Sequence, residues 1–289
     1  MIVAVASGKG GTGKTTVSTN LARALAARTA VRYLDCDVEE PNGHLFLKPS
    51  LGPPHTIHRK VPVVDATACT GCGVCSDFCR FGAIAVMPNG PLVFPELCHS
   101  CGGCAMLCPS DAITEEDRPI GEVETGRSGD VAFVHGRLRV GEPASPPLIA
   151  AVREMIDPDA VNLLDAPPGV ACPAVAALRG ADFALLVTEP TPFGLHDLAI
   201  AAETTRELGV PFAVVVNRSD MGDGRVDDWC KTQGIEVLAR FREDRRIAEA
   251  TSRGDLAYDV LAHVRGGYDE LGRLVVERAS AARAGAGGR

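Results

Sequence analysis

Ser7-Gly8-Lys9-Gly10-Gly11-Thr12-Gly13-Lys14-Thr15-Thr16 decides how the rest of the chain is read. It follows an apolar run, Ile2 to Ala6, that reads as a buried parallel strand. It precedes Val17 to Ala27, an Ala- and Leu-rich segment that reads as a helix. A glycine-rich turn at that junction aims backbone N–H groups and the positive end of a helix at an anion. Gly8-x-x-x-x-Gly13-Lys14-Thr15 matches the phosphate-binding loop: Lys14 is expected along the β- and γ-phosphates and Thr15 on Mg²⁺.

Gly8-x-Gly10-x-x-Gly13 also fits the dinucleotide fingerprint, and Asp35 stands about twenty residues on, where that motif wants an acid. Three features favour a nucleoside triphosphate. Lys14-Thr15 has no task in a dinucleotide site, a second acid (Asp37) follows Asp35, and a separate strand ends in Asp165-Ala166-Pro167-Pro168-Gly169, as a Mg²⁺-side motif does.

The 289 residues are enough for one large domain and a small one. A 46% hydrophobic content with only 4% aromatics suits an α/β sheet. The net charge of −8 gives no support to nucleic-acid binding. No apolar run approaches the ~20 residues that span a bilayer. The first residues form a core strand without a signal pattern, so a cytoplasmic protein with no membrane role is expected. Eleven cysteines in a reducing compartment then point to metal rather than disulfides.

Val31 to Leu34 reads as a second parallel strand delivering Asp35 and Asp37 to the crevice at the strand ends. Pro49 to Lys60, with Gly52-Pro53-Pro54, reads as a linker. Beyond it the cysteines fall at 69, 72, 75 and 79, and again at 98, 101, 104 and 108, a repeat shifted by 29 residues. Gly73 and Gly102, and Ala83-Ile84 and Ala112-Ile113, obey the same shift. This is the two-cluster bacterial ferredoxin spacing, in which three close cysteines and one from the other repeat hold each cube. Cys69, Cys72, Cys75 and Cys108 are therefore expected on one 4Fe–4S cluster, and Cys98, Cys101, Cys104 and Cys79 on the other. A pair of zinc sites is the competing reading. Arg80 replaces the proline that would follow Cys79. Residues 61–116 hold six acids and one basic residue, Arg80, so a partner docking there is expected to be basic.

Ile120 to Val140 alternates and reads as a β-meander. Strands alternating with helices follow: Val161 to Leu164, Phe183 to Thr188, Phe212 to Val216 and Ile235 to Ala239. The expected fold is α/β, a doubly wound and mostly parallel sheet built from residues 1–60 and 117–289, with an α+β ferredoxin-like domain, 61–116, inserted in it. Residues 281–289, rich in Ala, Gly and Arg, are expected to be disordered.

With a second lysine, Lys9, ahead of Lys14, the loop resembles the deviant phosphate loop of the MinD, ParA and nitrogenase iron-protein superfamily. Asp35 and Asp37 are similar to its switch I acids and Asp165 to Gly169 to its switch II, while Thr188 to Gly194 and Val216-Asn217-Arg218 add to the likeness. With the eight-cysteine insert, the chain resembles a MinD-superfamily ATPase containing a ferredoxin domain. The resemblance implies that Gly8, Gly10, Gly11, Thr12, Gly13, Lys14, Thr15 and Thr16 hold ATP or ADP with Mg²⁺. It implies that Asp37 positions the attacking water, that Asp35 and Asp165 support Mg²⁺ with Pro167 and Gly169 beside it, and that Asn217 reads adenine next to Arg218. Lys9 is implied to reach the phosphates of a partner subunit in a nucleotide-dependent homodimer. By analogy with the iron protein, Cys172 faces its mate at that interface; the plainer reading is a small buried residue at a helix start. Cys36 and Cys230 read as core. Two functions follow: ATP-driven electron transfer to a redox partner, or ATP-dependent delivery of a metal cluster to a client. A positional or partition role leaves the clusters without a purpose.

Overall fold

The structure, a computed structural model, describes residues 1–286. The chain opens with β1 (Ile2–Ala6), α1 (Lys14–Ala26), β2 (Val31–Asp35), α2 (Gly43–Leu47), β3 (Ser50–Leu51) and β4 (His55–Val64). Then come α3 (Val74–Phe78), β5 (Ile84–Met87), β6 (Gly90–Val93) and α4 (Gly103–Met106). β7 (Ile113–Ser128) and β8 (Val131–Leu138) return to the main sheet, followed by α5 (Pro146–Arg153), β9 (Val161–Asp165), α6 (Cys172–Leu178) and β10 (Phe183–Thr188). The chain closes with α7 (Pro192–Glu207), β11 (Phe212–Asn217), α8 (Arg225–Thr232), β12 (Val237–Phe241), α9 (Arg245–Ser252), α10 (Ala257–Val260) and α11 (Ala262–Ala286).

Strands run in the order β12-β11-β10-β1-β9-β2-β8-β7-β3, with β4 also paired to β7. From β12 to β8 every pairing is parallel; β7, β3 and β4 make an antiparallel edge. The parallel strands are apolar on both faces because helices cover both. Val3 and Val5 of β1 enter one core with Leu21, Leu25, Leu271 and Val275, and Ala4 and Ala6 enter the other with Leu148, Leu164 and Leu198. The expected doubly wound, mostly parallel sheet is what forms.

Three local expectations change. Pro49 to Lys60 is no linker: it carries β3 and most of β4. Pro53 and Pro54 sit between these strands, outside both ladders. Ile120 to Val140 is a single hairpin, β7 with β8, rather than a meander. Residues 281–286 continue α11, because Ala and Arg are strong helix formers and outweigh the lone Gly285. The remainder of the tail expected to be disordered, 287–289, lies outside the described residues.

β4 and β7 form one antiparallel ribbon from His55 opposite Val123 to Val64 opposite Ile113, with Val61 facing Glu116. The cysteine-bearing segment hangs from its end. Its two halves share a backbone as well as a spacing. Left-handed residues recur 29 positions apart: Gly71 and Ser100, Gly73 and Gly102, Gly82 and Asp111. Ala83 N donates to Cys79 Sγ and Ala112 N to Cys108 Sγ, each at 3.3 Å. The halves also exchange equivalent bonds, Asp65 N to Ala112 O and Phe94 N to Ala83 O, each 2.8 Å.

Candidate functional site

The phosphate-type loop lies at the C-terminal ends of β1, β9 and β2, the crevice where open α/β sheets bind ligands. Two of its glycines are required by space. A Cβ on Gly8 would come within 2.2 Å of the Asp197 carbonyl oxygen, and one on Gly13, at φ +86°, within 2.3 Å of Asn217 Nδ2. Gly13 opens α1, so Lys14, Thr15 and Thr16 occupy its first turn, where free N–H groups face an anion. Thr12 Oγ1 is buried without a hydrogen-bond partner, a donor left for a ligand.

Lys14 is buried and donates to Asp165 Oδ1 at 2.7 Å, with Asp37 Oδ2 4.0 Å away. Asp35 and Asp165 are fully buried and face each other in register on β2 and β9. Asp35 accepts from the backbone N–H of Gly43 (2.9 Å) and Asp37 (3.2 Å), which folds the chain after β2 back over the site. Burial and the nearby Asp165 push Asp35 up to about 8. Burial, with Asp165, Glu39 and Glu40, pushes Asp37 up to about 6 against the pull of Lys14. Burial alone would lower Lys14, but Asp165, Asp37 and Asp35 together raise it. Three carboxylates around one ammonium leave excess negative charge. Thr15 and Asp35 offer hard oxygens of the type Mg²⁺ takes, although among the described residues the three acids do not converge on one ion position.

Tyr33 was not singled out in the sequence. Its hydroxyl donates to Asp165 Oδ2 (2.8 Å), lies 3.1 Å from Ser18 Oγ, and is held protonated by burial and the two acids. Its only early signal is its place two residues before Asp35 on the same face of β2. Glu189 was also missed as a partner. It pairs with Arg218 and lies 3.9 Å from Lys9 Nζ, so Lys9, expected across a dimer, here reaches its own subunit. Asn217 Nδ2 donates to Thr12 O (2.9 Å), leaving its Oδ1 for a ligand. Asn217, Arg218, Gly13, Thr16, Phe241 and Thr251 line a cavity of about 290 Å³ adjoining the loop. Pro167 and Gly169 follow Asp165, and Gly169 N donates to Ser7 O (2.9 Å), tying that turn to the loop. Gly10 and Gly11 stay open to solvent.

Cys69, Cys72, Cys75 and Cys108 line one cavity, and Cys79, Cys98, Cys101 and Cys104 line another. Each quartet takes three cysteines from one repeat and one from the other. Among the described residues no three His, Cys, Asp or Glu side chains converge on a single-ion position. Backbone N–H groups of Ala83, Ala112 and Ser100 donate to Cys79, Cys108 and Cys98 sulfurs at 3.3 Å, and such donors stabilise thiolate. His99 is exposed and stacks on Phe81. Cys172, the first residue of α6, is exposed, which removes the reading of a small buried residue, whereas Cys36 and Cys230 are core.

A family model described as the CobQ/CobB/MinD/ParA nucleotide binding domain matches residues 3–257. The uncharacterized protein MJ0578 of Methanocaldococcus jannaschii is 33% identical over 229 residues, covering 77% of this chain and 80% of that one. MJ0579 of the same organism is 29% identical over 258 residues, covering 88% and 90%. In fold the chain is similar to the septum site-determining protein MinD complexed with Mg-ADP from Pyrococcus horikoshii, with TM-score 0.62, 21% identity and coverage of 97% and 98%. It is similar too to the MinC:MinD cell division protein complex of Aquifex aeolicus, with TM-score 0.55, 16% identity and 96% coverage of each. Among the described residues no helix is long and apolar enough to cross a membrane. The phosphate-type loop, the acids at neighbouring strand ends and a family match over most of the chain lead to one statement: this chain belongs to the CobQ/CobB/MinD/ParA nucleotide-binding domain family.

Proposed function

We propose that the chain binds and hydrolyses Mg-ATP between two copies of itself, and that nucleotide state governs one-electron transfer through two 4Fe–4S clusters in residues 61–116. The observation that supports the redox half is the repeat: two halves with matching backbones, in which each cysteine quartet draws three members from one half and one from the other. Cys69, Cys72, Cys75 and Cys108 would hold one cluster, and Cys98, Cys101, Cys104 and Cys79 the other. When bound, the clusters supply one-electron chemistry at potentials set by their surroundings.

In the crevice, Lys14 and the loop amides bind phosphate, Thr15 and Asp35 serve Mg²⁺ with Asp165 behind them, and Asp37 orients water. Asn217 and Arg218 flank the base. Lys9 leaves Glu189 for the partner subunit's phosphates, supplying charge in trans as an arginine finger does. Phosphoryl transfer asks for positioning and charge neutralisation, which fits a buried site of fixed acids and one lysine. The electron partner is a basic protein, matching the acidic insert. The setting is a reducing cytoplasm.

Exposure of Cys172 at the start of α6 favours a second reading, ATP-dependent delivery of a cluster across the dimer. Reduction potentials measured without nucleotide, with ADP and with ATP, alongside cluster transfer to an apo-acceptor, separate the two. Redox coupling predicts about eight irons per chain and potentials that move with nucleotide. Potentials indifferent to nucleotide, with cluster transfer that depends on ATP, would establish the delivery reading instead.

A further inference from the structure

The crevice and the cysteine insert are joined by a buried ion pair. Arg59, on β4, and Glu142, in the loop after β8, have side chains only 3% exposed and approach to 2.9 Å. Buried charges are costly unless they are held on several sides. Arg59 is held toward the insert: Nη1 donates to the Cys98 carbonyl at 2.5 Å and Nη2 to the Pro95 carbonyl at 2.8 Å. Cys98 belongs to the second quartet. Yet the pair is not fully satisfied, since Arg59 Nε and Glu142 Oε1 lack aligned hydrogen-bond partners.

Glu142 is held from the other side. Its loop begins where Leu138 N donates to Val38 O (2.8 Å) and ends where Ser145 Oγ donates to Glu39 Oε1 (2.8 Å). Val38 and Glu39 directly follow Asp37. Arg139 N also bonds Ile120 O on β7 (2.9 Å), which gives the loop a fixed pivot. Arg118, opposite Arg59 in the ribbon, reaches Glu96 at 2.9 Å and stands 4.0 Å from Glu142 Oε2, so Glu142 faces two arginines, and the exposed Glu96 lies within the field of the same two.

We propose that the Arg59–Glu142 pair transmits nucleotide state from Asp37 to the second cysteine quartet and so sets the reduction potential of the cluster held there. The inference rests on the redox reading above. A guanidinium bonded at a ligand's carbonyl favours the reduced, more negative cluster, and Glu142 offsets that charge. Movement of residues 37–39 that draws Glu142 away leaves the arginine uncompensated and raises the potential. Arg59 is thus a positioning residue: it touches the ligand's backbone and acts through it. No bond is made or broken, and the electron comes from a donor protein, or from dithionite in the test.

The test is a potentiometric titration of the loaded, full-length protein with ADP and with adenylyl imidodiphosphate, followed by electron paramagnetic resonance. Hydrogen exchange of residues 95–101 is measured in parallel. Wild type is expected to show one of its two potentials higher with the triphosphate analogue, together with altered exchange at 95–101. Ser145→Ala, which releases the loop from Glu39, and Arg59→Met with Glu142→Leu, which removes both charges, are expected to keep iron and nucleotide binding but lose the shift. If the double variant loses iron, Ser145→Ala alone decides. A shift that survives in the variants overturns this inference and leaves the redox reading intact. No shift in wild type overturns both.

Discussion

The nucleotide crevice and the cysteine insert are assembled in opposite ways. The crevice is built from distant pieces: Lys14 meets Asp165 across 151 residues and Asn217 meets Thr12 across 205. It exists only when the whole sheet is formed, and Asp35 and Asp37 lie in surroundings that disfavour their charge. The insert gathers its cysteines from one short segment, leaves most of them partly exposed, and sets backbone N–H donors against three of their sulfurs. A site assembled at long range can respond to distant change; a site assembled locally keeps its own geometry.

The largest expected effect is in the crevice. Lys9→Ala is expected to slow ATP hydrolysis about 10³-fold while ATP still binds. Single-turnover assays with a binding measurement check this, and an undiminished rate excludes Lys9 from the chemistry. For the insert, Cys108→Ser is expected to lower iron from about eight to about four per chain, with nucleotide affinity unchanged. Loss of nucleotide affinity as well would show that the two regions do not assemble independently.

The third expectation concerns pH. In protein free of Mg²⁺ and nucleotide, Asp35 near 8 and Asp37 near 6 lie above their unfolded values. Raised acids bind protons more tightly when folded, so their stabilisation is complete below about pH 4 and is lost as pH rises toward about 8. Denaturant unfolding between those limits is expected to show stability falling, and Asp35→Asn to flatten the fall. A profile as steep in the variant would move the effect elsewhere.

The smallest effect compares two glycines with similar backbones. Gly13 and Gly71 both have positive φ, but a Cβ on Gly13 strikes Asn217, whereas one on Gly71 meets nothing within 4 Å. Ser100 already holds Gly71's conformation in the other repeat. Gly71→Ser is expected to cost about 1–2 kcal/mol, the local cost of a left-handed residue, without loss of iron. Thermal unfolding with iron analysis measures it.

How legible each part was in the sequence follows from the same contrast. The loop could be read because glycines and Lys14-Thr15 must be adjacent to work, and the cysteine pattern because its cysteines repeat at fixed spacing. Asp35 and Asp165 could be read from the ends of apolar strands. Tyr33, Glu189, Arg59 and Glu142 could not, because each gains its role from a neighbour brought by another strand or loop. Gly52-Pro53-Pro54 hid β3 and β4, since residues that break a strand say nothing about strands on either side. In the tail, glycine content masked alanine and arginine, which carry α11 on to Ala286.

The ribbon of β4 and β7 has a further consequence, for heredity. A segment that departs at Val64 and returns at Ile113, directly opposite, can be excised and its ends joined by a tight turn without disturbing any pairing in the sheet. The same doorway admits a foreign segment at little entropic cost. Such a chain can gain or lose its cysteine module in one genetic event. The scar left behind would be an ordinary hairpin.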